Sequence, residues 1–279
     1  MQDIMKVIAE IFERELPMNT RILCSVIVLL LETSGYAQDA AGQDSIASAH
    51  VIGVTIGVNQ IKEANLLSRV HSGFVTTLSY DYVHSAQNYQ DFQFLLGYSR
   101  IIARSEDITK SANFLITTSY CYALAVAGEQ SLKYFLGPQV KLSYSAGAYP
   151  NWDDSHLYWA NYVSAGISNV LIYGFQNETQ LVSHISVPLL SLFSRPDLLR
   201  LNKFDDLSFG GMIKSLHSNM NLGFWNTAFH LHFDLAYQFP VFRTKQEAFF
   251  YSLEYVRLRQ SDGNPYTQLI HQLGIRVLL

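Results

Sequence analysis

Within the sixteen residues Phe224–Phe239, alternate positions carry two different chemistries. Phe229, Leu231, Phe233, Leu235, Tyr237 and Phe239 share one face, and Asn226, Ala228, His230, His232, Asp234, Ala236 and Gln238 share the other. A period of two is the repeat of an extended strand, whose successive side chains point to opposite sides. Strands in soluble proteins mostly stop after about five or six residues. A run this long, apolar on one side and polar on the other, suits a strand that meets acyl chains outward and lines a polar lumen inward.

The same alternation ends the chain. Between Gln268 and Leu279, the residues Leu269, His271, Leu273, Ile275, Val277 and Leu279 oppose Gln268, Gln272, Gly274 and Arg276. A last strand running to the final residue resembles the C-terminal signal of Gram-negative outer-membrane β-barrel proteins, with Leu279 where those proteins carry an aromatic. The resemblance is one of architecture and covers most of the chain. It implies an outer-membrane location with outer-membrane lipids as partners.

Composition agrees with this pattern. Hydrophobic residues make up 49% of the 279, yet mean hydropathy is only +0.09. That balance is low for a helical membrane protein and ordinary for a barrel that alternates lipid and lumen residues. Helical spans need about 20 consecutive apolar residues, and no such run follows residue 40. A net charge of −4 with scattered lysines and arginines gives a nucleic-acid partner no footing.

At the N-terminus, the basic stretch Met18–Arg21, the apolar run Ile22–Leu31 and the small residues of Gly35-Tyr36-Ala37 have the layout of a secretory signal peptide. The expected organisation is an upstream extension over 1–17, with translation starting at Met18, then a signal peptide over 18–37. A flexible leader over 38–48 and a barrel over 49–279 follow. Cys24 lies within the signal, which leaves Cys121 alone in the mature chain and excludes an intramolecular disulfide there.

Strand-like segments fall at about 50–60, 73–83, 91–102, 112–126, 133–146, 156–169, 172–187, 205–217, 222–240, 246–260 and 266–279. That makes eleven, whereas single-chain bacterial barrels carry an even number. The fold expected is therefore an all-β, membrane-spanning antiparallel up-and-down β-barrel of 10–12 strands. Twelve is favoured, with a missing strand sought in 188–204. If Leu279 is periplasmic, 261–265 is an extracellular turn, Pro240–Gln246 is periplasmic and His217–Gly223 is extracellular.

Such a barrel is narrow and needs its interior charges paired, because isolated buried charge is costly. The lumen network expected comprises Asp81, Lys141, Glu178, Lys214, His230, His232, Asp234, Glu254 and Arg276. Two imidazoles and a carboxylate on one strand face are competent metal ligands. No zinc-type spacing accompanies them, so neither a metal nor another cofactor is expected. Asp153 and Asp154 occupy a polar turn that lacks the spacing of a calcium loop.

His184-Ile185-Ser186 has a further resemblance. Outer-membrane phospholipases and lipid A deacylases carry a His-x-Ser pair on a strand, which would make His184 a base and Ser186 a nucleophile. Val187 stands where those families have Asn, and both side chains share a face with Gln176, Glu178 and Gln180. The leading expectation is a narrow channel, a small-solute binding or transport protein, or an envelope-accessory barrel, partnered by a small solute or an envelope protein. The alternative is a lipid hydrolase using His184 and Ser186, which requires both to face lipid.

Overall fold

In a computed structural model, the residues described are 48–63, 70–102, 111–128, 131–149, 156–175, 178–196, 209–217, 219–241, 245–260 and 265–279. The proposed extension, signal peptide and nearly all of the leader lie outside them, as do Asp153 and Asp154. The elements in chain order are β1 (Ser48–Lys62), β2 (Val70–Ser85), β3 (Asn88–Ile102), β4 (Ser111–Gly128), β5 (Leu132–Tyr149), β6 (His156–Gly174) and β7 (Gln180–Ser194). Helix α1 (Phe209–Leu216), β8 (Met220–Gly223), β9 (Ala228–Val241), β10 (Lys245–Leu258) and β11 (Tyr266–Leu278) follow.

Each strand pairs antiparallel with its neighbours, and β1 pairs with both β2 and β11. Because β6 pairs with β7, and β7 with β9, ten strands close into a ring. The short strand β8 pairs only with the end of β7, Gly223 opposite Ser191. It runs along β7 in the same direction as β9, whose His232 opposes Ser186. β8 and β9 therefore form one line along the wall, interrupted by a turn in which the Thr227 and Ala228 amides both donate to the Phe224 carbonyl (2.9 and 2.6 Å). Neither ladder joins residues 187–190 of β7 to residues 228–231 of β9.

Twelve strands is corrected to ten. Segment 205–217 does not supply a strand: its described part is α1. The residues that mark it, Phe209, Met212, Ile213 and Leu216, recur at i, i+3, i+4 and i+7, which is a helical period. No extra strand occupies the described part of 188–204, since Pro188–Ser194 simply continue β7. Alternation fails there because Pro188 opposes Gly166 while Leu190 opposes Ala165, so Leu189 bulges out of the ladder. The bulge resets the parity. His184 and Ser186 are buried before it, and Ser191 and Phe193, on the opposite parity, are buried after it.

The ring is apolar outside and polar inside. Phe74 is 82% exposed and Leu273 64%, whereas Thr55, Asn59, Thr77, Gln139 and Ser143 are buried. A soluble sandwich would cover its aromatic faces with a second sheet, and no described element does so here.

The connections fix the orientation. At one rim they comprise two, three, five and three residues; at the other they comprise seven, eight, six, twenty-five and seven. Outer-membrane barrels keep short turns on the periplasmic side and long loops outside. The rim holding 261–265 is therefore extracellular, as the chain-end argument expects. Near the periplasmic rim, Tyr173, Phe175, Tyr237, Phe239 and Phe249 form a chain of ring contacts 4.9–6.2 Å apart, the aromatic belt of a membrane boundary.

Candidate functional site

The lumen is a packed interior with three layers. Towards the extracellular rim, Ile61, Ile101, Tyr158, Phe193, Leu258 and Tyr266 form an apolar cluster. The Tyr158 ring packs against Gly147, where an added Cβ would collide with it. Arg195 and Glu63 are ion-paired beside this cluster, and Arg195 Nη1 donates to the Leu258 carbonyl at 3.0 Å. Towards the periplasmic rim, Tyr89, Cys121, Ala123, Phe135 and Val170 form a second apolar cluster. Between the two lies a belt of charge.

That belt has two linked halves. In one, Lys141 Nζ stands 3.1 Å from Glu254 Oε1 and donates to His230 Nε2 at 3.0 Å, while the Tyr162 hydroxyl donates to Glu254 at 2.9 Å. In the other, Arg276 Nη2 donates to Asp234 Oδ2 at 3.2 Å, Arg276 Nε lies 3.6 Å from Asp81, and the guanidinium sits 3.9 Å from the Phe250 ring centroid. His232 joins the halves, with Nε2 3.3 Å from Asp234 and its ring stacked on His230 at 6.4 Å. Period-two spacing on β9 aims His230, His232 and Asp234 into the lumen. Their partners arrive from β2, β5, β10 and β11, which only ring closure brings together.

Seven of the nine network residues expected from sequence meet in this belt: Asp81, Lys141, His230, His232, Asp234, Glu254 and Arg276. The other two do not join it. Glu178 is exposed in the 175–179 turn at a positive φ of 58°, because β6 runs on to Gly174 and the turn falls later than the sequence segments place it. Lys214 is exposed on α1. The C-terminal end of that helix meets the outer face of the wall, where Asn161 Nδ2 donates to the Leu216 carbonyl (3.2 Å) and Tyr144 bonds to His217 (2.8 Å).

His184 and Ser186 are buried and face inward. His184 Nε2 hydrogen-bonds to Ser168 at 2.6 Å, and its Nδ1 lies 3.9 Å from Asp91. Ser186 Oγ has no hydrogen-bond partner among the described residues. The geometry does not pair a His184 base with a Ser186 nucleophile, and neither side chain meets lipid. Among the described residues, no three His, Cys, Asp or Glu side chains converge as metal ligands.

Four lumen residues escape the sequence reading. Asp91 shares the parity of Gln93 and Ser99 within the 91–102 segment, and Glu63 that of Thr55 and Asn59 just beyond the 50–60 segment, so parity marks both as inward. Arg195 follows the Leu189 bulge, and no simple alternation reaches it. Tyr162 shares the parity of the buried Ser164 and Ser168.

A void bounded by Thr77, Gln93, Lys141, His232, Asp234 and Arg276 measures about 10 Å³, at the lower limit for a single water.

No protein-family model matches the chain, and no curated protein matches it by sequence. Solved structures resemble it in fold. The outer-membrane protease OmpT of Escherichia coli aligns over 87% of this chain and 100% of its own, with a TM-score of 0.48 and 6% identity. The translocator domain of the autotransporter NalP from Neisseria meningitidis aligns over 92% and 96%, with 0.43 and 8%. The β-domain of the Bordetella autotransporter Brka aligns over 82% and 98%, with 0.41 and 12%. This chain is an outer-membrane β-barrel. An apolar exterior, a polar interior, an even ring and unequal rims carry that conclusion.

Proposed function

We propose that this barrel is closed, and that it serves as an envelope-accessory protein acting through its outer and extracellular surfaces rather than by passing solute. The observation that carries the reading is the filled lumen: a belt of ion pairs and hydrogen bonds held between two apolar clusters, where the described void measures about 10 Å³. A solute could cross only if the Lys141–Glu254 and Arg276–Asp234 pairs parted in an environment where buried charge is costly. The 25-residue connection from β7 to β8 adds support, since it places α1 against the outside of the wall.

Planar-bilayer recording of the folded chain tests this. A closed barrel gives a silent bilayer, and neutralising the belt as a whole (Lys141→Gln and Arg276→Gln together with Asp81→Asn, Asp234→Asn and Glu254→Gln) leaves it silent, because the apolar clusters still seal both ends. Discrete conductance steps from the wild-type chain would overturn the proposal and restore the narrow-channel reading.

A further inference from the structure

We propose that Lys62, Arg257 and Arg259 form a binding site for a phosphate group carried by a lipid of the outer leaflet. Lys62 is the last residue of β1, Arg257 is next to last in β10, and Arg259 follows two residues later. Thr267 of β11 pairs with Lys62 on one side and Arg257 on the other. The two cations thus flank one residue on adjacent strands, roughly 10 Å apart across two strand spacings. All three side chains are exposed and, by strand parity, point away from the lumen.

None of the three is ion-paired with a described residue, and Glu63, the neighbour of Lys62, is buried and paired with Arg195. Arg100 near the end of β3 is a fourth exposed outward cation. Among the described residues, every charged side chain exposed on the outer face at the extracellular strand ends is basic. That one-signed arrangement would repel itself without a counter-ion.

The surroundings identify the counter-ion. Below the three cations the wall is apolar, with Ile56 and Val58 on β1 and Leu273 on β11 exposed outward. Beside them lies the 224–227 turn, tied in by the Arg259 amide donating to the Thr227 carbonyl at 2.7 Å, and its Trp225 is 60% exposed. Trp prefers the membrane boundary, which puts the cations at headgroup depth. A free anion would find a convex, open surface. A lipid would find guanidinium forks for its phosphate and an apolar wall for its acyl chains.

The test is native mass spectrometry of the folded chain in non-ionic detergent with added lipid A. The comparison is with the Lys62→Gln/Arg257→Gln/Arg259→Gln variant and with Lys133→Gln at the opposite rim; heat-dependent gel mobility confirms that each is folded. Wild type and Lys133→Gln are expected to bind alike, and the triple variant about a hundredfold more weakly, at the usual increment per cation near an anionic surface. Dephosphorylated lipid A should lose a similar factor on wild type, and excess inorganic phosphate should not displace the lipid. Unchanged binding by the triple variant or of the dephosphorylated lipid would overturn the site. Displacement by inorganic phosphate would overturn its assignment to lipid.

Discussion

Replacing Arg276 with methionine should destabilise the folded barrel by about 3–5 kcal/mol, the usual penalty for removing one partner of a buried ion pair. The structure says why the penalty is concentrated. Arg276 bonds to Asp234 at 3.2 Å and lies 3.6 Å from Asp81. Methionine retains the aliphatic packing against Phe250 but loses the cation–π contact, worth about 0.5–2 kcal/mol. Asp234 keeps His232 at 3.3 Å. Asp81 is left worst, because Arg276 is the one ion-pair partner it has among the described residues. Denaturant unfolding in lipid vesicles, followed by tryptophan fluorescence, measures the loss. Adding Asp81→Asn and Asp234→Asn to Arg276→Met should recover most of it, since a neutral interior of similar volume is often as stable as a buried ion pair. A single variant within about 1 kcal/mol of wild type, the ordinary scale of a surface change, would refute the reasoning. So would a neutralised variant no more stable than Arg276→Met.

Further outcomes follow from the same interior. His184→Ala should cost about 1–3 kcal/mol by removing the buried hydrogen bond to Ser168, whereas Ser186→Ala, which removes a hydroxyl with no hydrogen-bond partner among the described residues, should stay within about 0.5 kcal/mol of wild type or gain stability; vesicle unfolding of both checks this. Neither substitution should alter phospholipid or lipid A turnover by the preparation, and loss of a turnover activity in both would revive the hydrolase reading. Hydrogen exchange should be faster in 187–190 and 228–231 than in the stretches 180–186 and 232–238, since strand segments paired on one side only open at lower free energy than those paired on both. Equal protection across these stretches would contradict the interrupted wall.

How much of this was legible in the sequence follows from what period two can encode. Where a strand runs unbroken, as in β1 and β9, parity separates Ile56 from Thr55 and Phe233 from His232, and burial follows the same division. Parity also marks Lys141, Glu254 and Arg276 as inward, but which of them touch depends on ring closure and stagger, which bring β5 beside β10 through the lumen. The failures have local causes. One extra residue at Leu189 inverts the alternation and hides Phe193 and Arg195. Misplacing the β6–β7 turn by a few residues sends Glu178 into the lumen on paper, although it sits in the turn itself. Segment 205–217 invited a strand because strands surround it, while its apolar spacing was helical all along. The basic rim at Lys62, Arg257 and Arg259 was invisible for another reason: its members lie far apart in sequence and meet only where β1, β11 and β10 end.

The central claim is that the lumen is a closed, packed core, and Cys121 reports on it directly. This cysteine is buried beside Phe135 in the periplasmic apolar cluster. With Cys24 replaced by serine, the folded chain in vesicles would be exposed to a small water-soluble methanethiosulfonate reagent, and modification would be followed by mass. A closed core leaves Cys121 unmodified until the barrel is heat-unfolded, while Phe135→Ala, which opens the cluster beside it, makes it reactive in the folded state. Rapid modification of Cys121 in the folded wild-type barrel would contradict the account.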